Sequence, residues 1–292
     1  MVGHSRQSRL GLRCQTLAHG DCLTMQMEDL EIRPSLSNGH QQWPATRVVA
    51  TLPGSLPMGG VVPETPIHAF AATPACLALK PQPSLRPSRH DIDLGGSIAF
   101  VIRDVVTPDE ARAIMEASEV FGYREEAPGI STPPGMRMNK SVHWVADDAL
   151  LGPIMQRMES LLPTSVDGRS LYGRLSHRLN MYRYDDNDVF NRHIDGDWPG
   201  YSLNETRDAM VEWQGVRSAL TMILYLNDPS DGVQGGNTRL LAKNGQWIDV
   251  VPAKGSALFF RHGFTPDSVV HIGDRVQGSV PKYVARINVM FS

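Results

Sequence analysis

Regular alternation of apolar and polar positions begins near residue 98 and changes character once before the C-terminus. The run Ile98, Ala99, Phe100, Val101, Ile102 is β-branched and aromatic and predicts a strand. A helix is predicted next. Thr107 stands at an N-cap, Pro108 at the first helical position and Glu110 three residues after the threonine, the spacing of a capping box. Ala111, Ile114, Met115 and Ser118 then keep the helical period. A second helix is predicted from Asp147 or Asp148, with Leu151, Met155, Met158 and Leu162 spaced to bury one face, and its methionines read as core. Beyond Pro163 the runs are short and apolar or alternating: 178–184, 218–226, 238–241, 246–251, 256–260, 267–272 and 282–291, separated by Gly, Asn, Asp and Pro. That is an all-β signature. Helices first and strands after predict a mainly β fold, a closed double-sheet structure buttressed by N-terminal helices, α+β overall.

The first third reads differently. Residues 34–87 hold ten of the chain's 21 prolines and no long periodic segment, so residues 1–90 are expected to be a disordered Pro-rich tail and 95–292 the folded domain. Arg6, Arg9 and Arg13 with a single acid, Asp21, give residues 1–23 the composition of a transit peptide. An upstream extension with Met25 or Met27 as the start is an equal alternative. The expected location is soluble, cytoplasmic or, with a transit peptide, organellar. Cys14, Cys22 and Cys76 match no zinc or redox spacing, and no cysteine follows them, so any later metal site must do without thiolate. A net charge of −3 and the lack of a clustered basic face argue against nucleic acid as a partner. No stretch approaches the roughly 20 apolar residues of a membrane span.

The chemistry concentrates in Phe190-Asn191-Arg192-His193-Ile194-Asp195-Gly196-Asp197. On a strand, residues two apart point the same way, so His193 and Asp195 would project together and supply two ligands of the facial triad that holds Fe(II) with positions left open. The bare triplet fits equally a loop histidine beside a turn aspartate capping a backbone amide. In the final strand Lys282, Val284 and Arg286 share a face. Pointing inward, such a basic pair needs an anionic partner; pointing outward, with Tyr283, Ala285 and Ile287 inside, it is solvated.

The order Tyr182-x-Tyr184, His193-x-Asp195-Gly196, Leu220-Thr221-x-x-x-Tyr225-Leu226-Asn227, Gly235-Gly236-x-Thr238, and His271 before Lys282-Tyr283-Val284-x-Arg286 resembles the prolyl-4-hydroxylase-like branch of the 2-oxoglutarate/Fe(II) dioxygenases, over about residues 95–292. The resemblance implies a double-stranded β-helix (jelly-roll) with Fe(II), 2-oxoglutarate as cosubstrate and O₂, and ascorbate as a candidate reductant. The reaction would be hydroxylation of a C–H bond of a protein (prolyl-type) or small-molecule substrate, with release of succinate and CO₂. It implies His193, Asp195 and His271 as iron ligands, with Asp197 and His262 as rivals for the last two. Lys282 matches the residue that pairs with the keto acid's distal carboxylate. Its spacing of eleven residues after His271, one more than is common, keeps Arg286 as the alternative. Tyr225 and Tyr184 match positions that line the keto-acid pocket, or simply fill the barrel. Residues 197–217, with Trp198, Tyr201 and Trp213, read as a lid over the iron or a surface insertion. His68, His90, His143 and His177 read as surface or incidental. Two other classes compete: a non-catalytic jelly-roll module with a degenerate metal site, and a cupin-type hydrolytic or isomerising metalloenzyme.

Overall fold

The computed structural model describes residues 42–292; residues 1–23, the alternative starts Met25 and Met27, and Cys14 and Cys22 lie outside the described residues. Eight strands of the C-terminal half are divided between two sheets. In chain order they are Arg178–Tyr184, Phe190–His193, Met210–Tyr225, Thr238–Leu241, Trp247–Val250, Ala257–Arg261, His271–Gly273 and Lys282–Phe291. One sheet hydrogen-bonds them in the order first, eighth, third, sixth, and the other in the order second, seventh, fourth, fifth. Adjacent pairs within both sheets are antiparallel. This winding of strands between the sheets, with one hairpin inside the second sheet, is the jelly roll, and every predicted strand run overlaps a strand, the run 267–272 only at its end.

The central strand Lys282–Phe291 is buried along its whole length, so its two faces meet two different cores. Tyr283, Ala285, Ile287, Val289 and Phe291 face the helical side, and Lys282, Val284 and Arg286 face the barrel interior with Tyr184, Tyr225 and Phe260. The alternation of apolar and polar residues thus becomes one greasy face and one chemical face. The helix Pro108–Phe121 starts with its capping box intact: Glu110 N–H donates to Thr107 Oγ1 at 3.1 Å and Thr107 N–H to Glu110 Oε2 at 2.8 Å. Asp147 caps the helix Asp148–Met158, which buries Leu151, Met155 and Met158 against the sheet. Arg157 and Glu110 join the two helices by a largely buried ion pair at 2.8 Å.

The tail expected over 1–90 is overturned for its described part. Thr46–Ser55 and Val61–Phe70 form an antiparallel hairpin. Its second strand pairs parallel with Lys140–Val145, which in turn pairs with Arg178–Tyr184, and the large sheet is extended on that side. Ser88–Asp91 extends it on the other side by pairing with Ala99–Arg103 and, through it, with Ala257–Arg261. Prolines do not forbid this. Pro53 sits at a β-bulge between Leu52 and Gly54, where the ladder is interrupted anyway. Ile67, Ala69 and Phe70 of the hairpin are buried, Phe70 beside Trp144. Counting prolines measures composition; burial of alternate apolar residues decides whether a strand pays its ordering entropy.

Candidate active site

The strands Phe190–His193 and His271–Gly273 pair in a register that sets His193 directly opposite His271, with ring centroids 4.1 Å apart. The first strand ends at His193, so Asp195 is not on a strand face; it reaches the histidines from the segment that follows. One ligand atom from each of His193, Asp195 and His271 lies within 4.8 Å of the others, and among the described residues no other such group of metal-ligating side chains occurs. Asp195 Oδ1 is 3.7 Å from His193 Nε2 and Oδ2 is 3.9 Å from His271 Nε2. Each histidine's Nδ1 lies against a backbone carbonyl, His193 on Asn191 at 2.7 Å and His271 on Val269 at 3.2 Å. A carbonyl can only accept, so Nδ1 carries the proton and the Nε2 lone pair is turned toward the cluster. Burial lowers both imidazoles, with His271 adding to the effect at His193, which falls to about 3. Both rings are therefore neutral donors at physiological pH.

The carboxylate is held from behind. Asp195 Oδ2 accepts from Arg286 Nε at 2.9 Å and Thr221 Oγ1 at 2.7 Å. Burial by itself would raise this carboxyl, but the Arg286 guanidinium, the two imidazoles and the Thr221 hydroxyl outweigh it and keep Asp195 well below the usual carboxylate range. Thr221 is one link of a directed chain. Trp198 N–H donates to Ser218 Oγ, Ser218 donates to His262 Nε2, His262 Nδ1–H donates to Thr221, and Thr221 donates to Asp195, at 2.7–2.9 Å throughout. Each hydroxyl has one proton, so the direction at Asp195 dictates every donor upstream. His262 is thereby engaged on both nitrogens, and Asp197 is turned to Arg217 at 2.6 Å, outside the cluster.

Lys282 and the cluster line one narrow inner cavity of about 30 Å³, together with Tyr184 and Thr238. Lys282 is 2% exposed; its ammonium donates to the Gly236 carbonyl and lies 5.0 Å from the Tyr184 ring centre and 5.7 Å from that of Tyr225. Among the described residues no carboxylate pairs with it, and burial pushes it down to about 7. A Cβ on Gly236 would meet Lys282 Cδ at 2.9 Å, and its φ of +70° favours glycine, so the Gly-Gly turn makes the room that the lysine occupies. Tyr225 donates to Thr238 at 2.9 Å. Outside the cluster an apolar cleft of about 620 Å³ opens between Ile130, Met136, Ile194, Trp198, Phe264 and Val270. The cleft and the inner cavity share Tyr182, Phe190, His193, Asp195 and Arg286, so they meet at the cluster.

Two expectations change. The segment 197–217 is not a lid: Pro199–Leu203 and Met210–Tyr225 form a hairpin within the large sheet, and Trp213 is fixed there by Ser202, Tyr172 and His177. Trp198 alone of its three large aromatic residues lines the cleft. His143 and His177 are buried rather than on the surface; His143 accepts from Arg178 at 2.9 Å, and His177 contacts Asp148 at 3.1 Å. The Ser218–His262–Thr221 chain was not anticipated. The signal was Thr221 itself, a hydroxyl in an apolar strand at the same parity as Tyr225.

No helix among the described residues is long and apolar enough to cross a membrane. No curated protein matches the sequence. Solved structures similar to this chain include three prolyl hydroxylases. A viral collagen prolyl hydroxylase from Paramecium Bursaria Chlorella virus-1, in a 2OG complex, is 16% identical with a TM-score of 0.46, covering 68% of this chain and 98% of that one. A Pseudomonas putida prolyl-4-hydroxylase is 16% identical with a TM-score of 0.43, covering 68% and 94%. A Trichoplax adhaerens prolyl hydroxylase in complex with a hypoxia inducible factor oxygen degradation domain peptide fragment is 14% identical with a TM-score of 0.42, covering 67% and 84%. Residues 179–290 match the model of the 2OG-Fe(II) oxygenase superfamily, so the barrel they build is a 2OG-Fe(II) oxygenase domain.

Proposed function

We propose that the enzyme hydroxylates a C–H bond of a protein (prolyl-type) or small-molecule substrate, with His193, Asp195 and His271 holding Fe(II) and Lys282 receiving the distal carboxylate of 2-oxoglutarate. The observation that carries this reading is the shared inner cavity, with three converging ligand atoms and a buried ammonium that has no carboxylate partner among the described residues. The donor set fits the metal: two neutral imidazoles and one carboxylate form the facial arrangement of non-haem iron sites. Bound there, iron with 2-oxoglutarate and O₂ supplies the oxidising chemistry, and succinate and CO₂ leave.

The chain's residues divide the remaining work. Arg286 and Thr221 occupy Asp195 Oδ2 and leave Oδ1 as the freer oxygen. With its Nε committed to Asp195, Arg286 is a positioning residue, and the keto-acid anchor falls to Lys282. Lys282 meets a carboxylate by leaving the Gly236 carbonyl, which exchanges a neutral acceptor for a charged one in a dry site and widens the small cavity. Tyr184 walls the pocket and Tyr225 stands behind its wall, donating to the lining residue Thr238; burial raises both phenols, so they stay protonated donors. The apolar cleft excludes water from the reacting carbon.

Full-length protein loaded anaerobically with Fe(II) and then given air and 2-oxoglutarate should form succinate, and His193→Ala should not. Folded wild-type protein that binds no iron and forms no succinate would favour a jelly-roll module with a degenerate site.

A further inference from the structure

The outer cleft combines apolar walls with an excess of positive charge. Arg192 lies on its lining, is exposed, and has neither an ion pair nor a hydrogen bond among the described residues. Tyr182 also lines it; the residue is only 5% exposed, and its hydroxyl has no hydrogen-bond partner among the described residues. Asp195 is the only acid on the lining, and it is committed to Arg286 and the metal cluster. Two more guanidiniums are buried behind the floor with no carboxylate in contact among the described residues. Arg137 donates to the carbonyls of Ser55, Glu125 and Asn139. Arg178 donates to the Pro128 carbonyl and His143, and is covered by the rings of Trp198 and Tyr201. Gly129 on the lining brings the backbone close to both: a Cβ there would stand 3.5 Å from Arg178 Nη2 and 3.6 Å from the Trp198 ring. The whole chain carries −3, so the positive cleft is a local arrangement and not a consequence of composition.

Buried guanidiniums without counter-charge raise the potential of the space they border, and a hydroxyl and a guanidinium lacking partners can both donate to one anion. We infer that the cleft is built for a substrate with an anionic group beside an apolar body, the anion received by Arg192 and Tyr182 and the apolar part lying along Ile130, Trp198 and Phe264. Phe264, 83% exposed at the rim, is the surface such a body would cover. This rests on the oxygenase reading of the same centre. Carboxylate and phosphate share the recognising chemistry.

The test is calorimetric titration of the full chain, loaded anaerobically with Fe(II) and saturating 2-oxoglutarate, with 3-phenylpropionate, phenyl phosphate and neutral 3-phenylpropanamide. At least one anion should bind about ten-fold or more tighter than the amide, as expected for a hydrogen bond to a charged group. Which anion binds better identifies the substrate's acidic group. Arg192→Met should reduce that preference to within about three-fold without shifting the thermal midpoint, and Tyr182→Phe should reduce it less. The Arg192→Met arm also separates anion recognition in the cleft from direct ligation of the metal, which the variant would not affect. Equal binding of acids and amide, no binding of either anion at millimolar concentration, or an unchanged preference in Arg192→Met would overturn the inference. Iron-dependent succinate formation by the wild-type protein, measured on the same sample, shows separately whether the oxygenase reading stands.

Discussion

Replacing Lys282 with methionine separates the two basic residues of the last strand and should have opposite effects on ligand binding and on stability. Lys282 is 2% exposed, and burial takes its ammonium from 10.5 to about 7. A displacement of that size corresponds to about 5 kcal/mol of unfavourable desolvation for the charged form, an order-of-magnitude figure. The folded-state value lies below the unfolded one, so the folded protein binds fewer protons between about pH 7 and 10.5. Wild-type stability should therefore rise with pH across that window, with the full penalty present below it. Lys282→Met should flatten that rise and melt higher than wild type near neutral pH in the absence of 2-oxoglutarate. The same variant should raise the 2-oxoglutarate Kd about 10- to 100-fold, the equivalent of about 1.5–3 kcal/mol for a charged hydrogen bond. In the wild type, affinity should be highest below about pH 7 and weaken by up to about ten-fold per unit above it, because the anion selects the ammonium. Calorimetry of 2-oxoglutarate binding from pH 6 to 9, paired with thermal melts, reads both. A Lys282→Met variant that binds 2-oxoglutarate as wild type does would refute the anchor assignment, most sharply if Arg286→Met lost that binding instead.

Arg286→Met should weaken Fe(II) binding about 10- to 100-fold by releasing Asp195 Oδ2, with a smaller effect on 2-oxoglutarate at saturating iron; anaerobic metal titration checks the order of the two effects. Gly236→Ala should lower stability by about 1–2 kcal/mol through its φ of +70° and the 2.9 Å approach to Lys282 Cδ, and raise the KM for 2-oxoglutarate. Denaturant melts and succinate kinetics would show whether the two changes occur together. Ile67→Ala, at a fully buried position of the proline-containing hairpin, should cost about 2–4 kcal/mol. A cost near zero in urea unfolding would mean that the hairpin is not part of the folded core.

The local and periodic features were present in the chain itself. The capping box at Thr107 and Glu110 depends on residues three apart, so it could be read directly and is found intact. The strand runs beyond Pro163 and the shared parity of Lys282, Val284 and Arg286 follow from the two-residue repeat of a strand, and the order of the motifs gave the oxygenase reading. What the sequence could not contain is register between distant strands. The positioning of His193 opposite His271, the reach of Asp195 from beyond its strand, and the passage from Trp198 through His262 to Asp195 join residues tens of positions apart. The same limit holds for Lys282 and Arg286. Both point inward on one strand, but only the tertiary structure puts a carboxylate on Arg286 and, among the described residues, leaves Lys282 with none. It also explains the misread hairpin at 46–70, because whether a proline breaks a strand depends on the neighbour across the sheet, here a bulge that needs no hydrogen bond. Propensity and periodicity are properties of neighbours in sequence; charge compensation and pairing are properties of neighbours in space.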